Sequence, residues 1–133
     1  MTTLVIDTSA AVAVILAEPG SAALVDALEA ADRRIMGSPT LVELGLVLTS
    51  KIGPTASGII DRFLRDAEID LVDFDREMAE RSFEGWRRFG KGRHPAALNM
   101  GDAFTFGVAV TLQGTVLCVG NDFAQTDIAV QRP

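Results

Sequence analysis

Apolar residues recur along this chain with two different periods. Short aliphatic or β-branched runs mark strands at Thr3–Ile6 and Thr115–Val119, and the stretch Ile69–Phe74 alternates apolar with acidic residues as a strand does. Arg34–Met36 is a candidate short strand and Ile128–Val130 a candidate edge strand. Between them the spacing changes to three and four, as an amphipathic helix requires. It predicts helices over Thr8–Leu16, Ser21–Ala31, Ser38 to about Lys51, Thr55–Ala67, Asp75–Phe89 and Asp102–Leu112. Leu24, Val25 and Leu28 share a face of the second helix, and Ile59, Ile60, Phe63 and Leu64 a face of the fourth. Met78, Phe83 and Trp86 are expected to point inward from the fifth.

The breaks carry their own signals. Glu18-Pro19-Gly20 stops the first helix, and Gly53-Pro54 follows the third. Ser38 is placed to cap the third helix, with Pro39 in its first turn. Gly90–Asn99 reads as a loop, and Gly120–Asp127 as a turn or short helix. Strands alternating with helices predict a three-layer α/β/α sandwich with a mainly parallel central sheet. No repeat, linker or low-complexity stretch interrupts residues 1–133, so one domain is expected.

Composition narrows this reading. Of 133 residues, 48% are hydrophobic, enough for a packed core, while the apolar runs are too short to span a bilayer. The first residues carry no basic region of a secretory signal. The one cysteine, Cys118, cannot form an internal disulfide and agrees with a reducing, cytoplasmic location. Twelve basic against eighteen acidic residues leave a net charge of −6, which by itself argues against nucleic-acid binding. The basic residues are unevenly placed, however. Arg87, Arg88, Lys91, Arg93 and His94 crowd one short segment, either a grip for a phosphate backbone or an ordinary solvated helix end.

Four acids sit where elements begin or end: Asp7 after the first strand, Glu43 in Thr40-Leu41-Val42-Glu43, Asp102 in Asn99-Met100-Gly101-Asp102, and Asp122 in Gly120-Asn121-Asp122. Each has a plain alternative. Asp7 and Asp102 suit helix N-caps, Glu43 suits a capping box with Thr40, and Asp122 suits an Asx turn. Their recurrence at element ends favours a shared crevice, because strand carboxyl ends line the ligand site of an open α/β sheet. Carboxylates brought to one point repel unless a cation neutralises them, and oxygen-only donors suit Mg²⁺, with Mn²⁺ as a substitute. A metal-dependent phosphodiesterase is the first reading from the residues alone.

The four segments also carry a resemblance. Leu4-Val5-Ile6-Asp7-Thr8-Ser9-Ala10, Ser38-Pro39-Thr40-Leu41-Val42-Glu43, Asn99-Met100-Gly101-Asp102-Ala103-Phe104 and Leu117-Cys118-Val119-Gly120-Asn121-Asp122-Phe123 resemble, in order, the motifs of PIN-domain ribonucleases, and most of all the toxins of VapBC-type toxin–antitoxin pairs. The resemblance implies Mg²⁺-dependent cleavage of RNA to 5′-phosphate and 3′-hydroxyl ends. Asp7 and Asp102 would be the main metal ligands, Glu43 would complete the cluster, and Asp122 would serve a second metal. Thr8 or Ser9 would bond a ligand carboxylate or a phosphate. Asn121 stands where the family often has another polar residue; an amide is a weaker Mg²⁺ ligand than a carboxylate, and Asn121 is expected as a substrate contact. Asp127 is a conceivable substitute, with a turn as its alternative role. The resemblance also implies a VapB-like antitoxin that wraps apolar helices, and a homodimer or a larger toxin–antitoxin assembly; Ala10–Leu16 and Ser21–Ala31 are candidates for that groove, with core packing as their alternative role.

Other chemistries fit less well. Gly85–Gly92 falls one residue short of a Walker A loop and follows a helix rather than a strand. One cysteine and one histidine make a zinc site improbable. Asp7-Thr8-Ser9 lacks the second aspartate of a haloacid-dehalogenase phosphatase. A PIN-like module that only binds a partner is the alternative of a different class.

Overall fold

A computed structural model describes residues 1–133. Five strands, β1 (Thr3–Ile6), β2 (Arg33–Gly37), β3 (Asp70–Val72), β4 (Thr115–Leu117) and β5 (Val130–Gln131), form one sheet in the order β3-β2-β1-β4-β5. Every neighbouring pair is parallel, with Val5 opposite Ile35 on one side and Val116 on the other. Six helices surround it: α1 (Thr8–Ile15), α2 (Ser21–Ala30), α3 (Ser38–Ile52), α4 (Ala56–Asp66), α5 (Arg76–Phe89) and α6 (Met100–Leu112). No helix is long and apolar enough to cross a membrane.

The two-residue period of the strands divides the core in two. Leu4, Ile6, Met36 and Leu117 point into a cluster with α1, α2, α3 and α4. Val5, Ile35, Val116 and Cys118 point the other way, against Met78, Phe89, Phe106 and Val108 of α5 and α6. Both faces of the sheet are therefore covered, as an all-parallel sheet requires. The connections explain the layering. From β1 to β2 to β3 the chain steps outward with its helices on one face. Between β3 and β4 it crosses back over β2 and β1, and the same hand of crossover then places α5 and α6 on the opposite face.

Several boundaries differ from expectation for local reasons. Helix α3 begins at Ser38 itself; Gly37 occupies the cap position with extended backbone, so Ser38 caps nothing, and Pro39 lies in a first turn whose amides lack helical partners. Helix α6 begins at Met100, two residues early, because Asn99 accepts from the Asp102 amide at 2.8 Å while Asp102 accepts from the Asn99 amide at 3.1 Å. Asp102 is therefore the third residue of a capping box rather than the N-cap. Phe83 is 63% exposed, and the inward stripe of α5 runs instead through Met78, Ser82, Gly85 and Phe89. Small residues on that stripe let α5 lie close against α6. The segment Gly90–Asn99 is a loop, yet Leu98 and Ala96 are fully buried and Gly90 bridges to Leu98.

Candidate active site

The order of strands reverses between β1 and β4, and the carboxyl ends of those two strands carry Asp7 and the segment leading to Asp122. This is the switch point at which open α/β sheets form their ligand crevice. Helices α3 and α6 begin beside it and supply Glu43 and Asp102.

Asp7 is only 4% exposed. Its Oδ2 accepts from the Ser9 amide at 3.1 Å and the Ser9 hydroxyl at 2.6 Å; its Oδ1 accepts from the Thr105 hydroxyl at 2.9 Å. Asp7 thus caps α1, as its position predicted, and faces the crevice as well. Ser9 in turn accepts from the Val119 amide at 3.0 Å, which ties α1 to the exit of β4. Thr40 lies 3.4 Å from Thr105. A hydroxyl carries one proton, and Thr105 spends its own on Asp7, so Thr40 is the donor to Thr105.

Glu43 does not reach back to Thr40. It accepts a hydrogen bond from Thr8, across from α3 to α1. The capping-box role is excluded, and Thr8 bonds a site carboxylate as the sequence implied. Gly101 explains how closely α6 approaches: a Cβ there would sit 1.9 Å from Glu43 Oε2. Asp122 is exposed and begins a single 3-10 turn, Phe123–Gln125, without capping it, so its carboxylate is uncommitted.

The electrostatics show that these four acids share one field. Burial pushes the Asp102 carboxyl up to about 7; the Asn99 amide opposes this, and the charges of Asp7, Asp122 and Glu43 push further upward. Burial also raises Asp7, against the hydrogen bonds from Ser9 and Thr105. The Cys118 thiol, buried behind the same acids, is pushed up to about 12. As the side chains stand, no three acids are spaced to enclose an ion, because hydroxyls and amides hold Asp7, Glu43 and Asp102 individually. They are close enough to repel through space. An oxygen-only donor group under mutual repulsion fits a divalent cation.

The basic segment fares differently. Arg87 pairs with Glu84 at 3.0 Å, and Arg88 pairs with Asp127. Asp127 is thereby engaged with α5 and does not substitute for Asn121. Arg93 stacks over the Trp86 ring, 5.0 Å from its centroid. The His94 Nδ1 accepts from the Ala96 amide at 3.0 Å, and its ring packs edge-on against Phe89. Of the five, Lys91 alone has no such partner. Asn121 accepts from Arg132. Thr105 and Arg132 escaped the sequence reading, and Thr40 entered it only as a capping-box partner of Glu43. The two threonines did leave a signal, a lone hydroxyl one turn from each helix-borne acid, Thr40 before Glu43 and Thr105 after Asp102.

The PIN domain family matches residues 4–129. The chain belongs to the PIN-domain family. It is 40% identical over 126 residues to Ribonuclease VapC36 of Mycobacterium tuberculosis, covering 94% of this chain and 91% of that protein. It is 38% identical to Ribonuclease VapC30 of the same organism, covering 95% and 96%. Among solved structures, Mycobacterium tuberculosis VapC20, a sarcin-ricin loop cleaving toxin, superposes with a TM-score of 0.78 at 15% identity over 98% of this chain and 99% of the other. VapBC2 from Rickettsia felis, bound to a promoter DNA fragment, superposes with a TM-score of 0.76 at 16% identity over 98% of each chain. These two likenesses carry the α/β/α fold. PIN-domain ribonucleases are in general dependent on divalent metal.

Proposed function

We propose that this chain is a Mg²⁺-dependent endoribonuclease of the VapC type, the toxin of a type II toxin–antitoxin pair, and that residues 1–133 work as one nuclease domain in the cytoplasm. The observation that carries this reading is the gathering of Asp7, Glu43, Asp102 and Asp122 at the β1/β4 switch point of a chain 40% identical to a VapC ribonuclease. A purely binding module has no use for four carboxylates in one field, where burial first and the charges of the other three after raise Asp102 to about 7.

Asp7 and Asp102 would hold the cation, with Glu43 completing the set from α3. When bound, the ion supplies a water acidic enough to attack a phosphodiester and positive charge for the phosphate oxygens. Asp122, free of structural duty, orients the attacking water or serves a second ion. Ser9 and Thr105 bond the Asp7 carboxylate, and Thr8 bonds that of Glu43, and these are the contacts that would support the two ligands once a cation is bound. No histidine takes part, since His94 is folded against Phe89.

The antitoxin groove we assign to the apolar hollow of about 540 Å³ lined by Val14, Ile15, Val25, Leu28, Ile59 and Phe63. It joins α4 to the two helices expected from the sequence and is suited to an amphipathic helix of a VapB-like partner. A homodimer, alone or within a toxin–antitoxin heterotetramer, is part of the same reading.

Purified, antitoxin-free protein incubated with total cellular RNA tests it. Discrete cuts with 5′-phosphate ends, present with Mg²⁺ and absent with EDTA, are expected in end-sequencing. Folded protein that leaves the RNA intact in Mg²⁺ overturns the reading.

A further inference from the structure

We propose that Arg132 is the residue that holds a phosphate of bound RNA beside the acidic centre. The inference rests on the ribonuclease reading and adds the anion-binding group that the site otherwise lacks.

Four acids cluster where a polyanion must enter, so a cation from the protein is needed at the mouth. The segment richest in basic residues does not provide a free set. Arg87 and Arg88 are neutralised by Glu84 and Asp127, and Arg93 lies on Trp86. Arg132 reaches the crevice by a different route. Strand β5 runs parallel to β4, and the Cys118 amide donates to the Gln131 carbonyl at 3.1 Å, so the residue after β5 emerges at the same sheet edge as Asp7 and Asp122. There the Arg132 guanidinium donates to the Gly120 carbonyl at 3.5 Å and to the Asn121 side chain. Both acceptors are neutral oxygens. Arg132 takes part in none of the ion pairs of the molecule, so its full charge remains available.

The surroundings favour an anion. Gly120, Arg132 and Pro133 line an open, polar hollow of about 620 Å³ with no hydrophobic side chain in its wall. Gly120 has a φ of +99°, and no atom lies within 4 Å of where a Cβ would stand. The guanidinium is therefore oriented by the same loop that carries Asp122, one residue beyond Asn121. Its planar fork of donors suits two oxygens of one phosphate. The field of Arg132 acts on Cys118 together with those of Asp7, Asp102 and Asp122, in keeping with a cation at the same edge of the sheet. Asn121, expected from sequence as a substrate contact, acts here as a positioning residue for Arg132.

The test compares wild type, Arg132→Gln, Arg132→Lys and Asn121→Ala in two assays. One is cleavage of a single-stranded RNA oligonucleotide in Mg²⁺ at several salt concentrations. The other is binding of the same labelled oligonucleotide in Ca²⁺, followed by anisotropy. Arg132→Gln should raise KM and weaken binding roughly tenfold, leave kcat within about threefold, and flatten the dependence of log K on log salt by about 0.7–1. Arg132→Lys should keep the salt slope. Asn121→Ala, which removes the tether and keeps the charge, should lose far less than Arg132→Gln. If wild type cleaves RNA and Arg132→Gln, folded with unchanged Tm, keeps both KM and slope, the assignment of Arg132 is overturned and the ribonuclease reading stands. An Asn121→Ala loss equal to that of Arg132→Gln also overturns it, since the arginine would then only brace the loop. Absence of cleavage by wild type overturns the underlying reading itself.

Discussion

Asp102 shows most directly what burial beside other acids does to a carboxyl in a folded chain. Its carboxyl rises from an ordinary 3.8 to about 7 in the fold, through burial first and the neighbouring acids after. The folded protein therefore holds a proton that the unfolded chain releases. The stability linked to that proton is complete below about 3.8 and is lost as pH rises through about 7. Asp7, also raised, acts in the same direction. Metal-free protein should melt at a lower temperature at pH 8 than at pH 5, and added Mg²⁺ should raise Tm most at pH 8. Asp102→Asn should flatten that pH dependence and abolish the Mg²⁺ effect in differential scanning; a wild-type Tm flat over this range would contradict the account. A second prediction concerns support rather than ligation. Thr105→Val removes the hydroxyl that fixes Asp7 Oδ1, and Mg²⁺ affinity by calorimetry should fall about ten- to a hundredfold with the fold intact. The acids were legible in the sequence because each closes a strand or opens a helix. The threonines were not, because a hydroxyl on an apolar helix face reads as surface until its partner is known.

At the scale of elements, the close approach of α6 to α3 is the feature on which the site depends. Gly101 lies in the first turn of α6, where alanine would ordinarily favour the helix by up to about 1 kcal/mol. Here the added methyl would overlap the Glu43 carboxylate and displace it. Gly101→Ala should therefore reduce cleavage at least about tenfold while changing Tm little, measured by initial rates and thermal melts on one preparation. An equally active Gly101→Ala protein would show that Glu43 is not needed where it stands. Helix types and order were legible from periodicity, and boundaries were less so. The capping box moved the start of α6 to Met100, and small residues took the inward stripe of α5 that Phe83 was expected to fill. Sequence spacing marks an apolar face, but a tight helix–helix contact selects for what is absent from a side chain.

Across the whole molecule, two surfaces divide the work. The acidic crevice opens at the carboxyl edge of the sheet, and the apolar hollow lies among α1, α2 and α4. Ile59, partly exposed at that hollow, belongs to no part of the crevice. Ile59→Asp should weaken antitoxin binding at least about tenfold by calorimetry and leave RNA cleavage at the wild-type rate; loss of both together would contradict the separation. The parallel sheet and its layers follow from alternating strands and helices, whereas Arg132 was invisible to that logic. Its place depends on the short pairing of β5 with β4, far along the chain from every acid but Asp122. The basic run Arg87–His94 left two readings open for the converse reason, since ion pairs of Arg87 with Glu84 and of Arg88 with Asp127 appear only once the chain is folded. The most direct test of the central claim is the single-turnover rate of RNA cleavage at saturating Mg²⁺ for wild type and Asp7→Asn, purified in parallel. The account predicts a loss of at least about a thousandfold with the fold intact, since on the proposed reading Asp7 would be a metal ligand at the end of the strand that anchors the site. An Asp7→Asn protein that cleaves at the wild-type rate would contradict it.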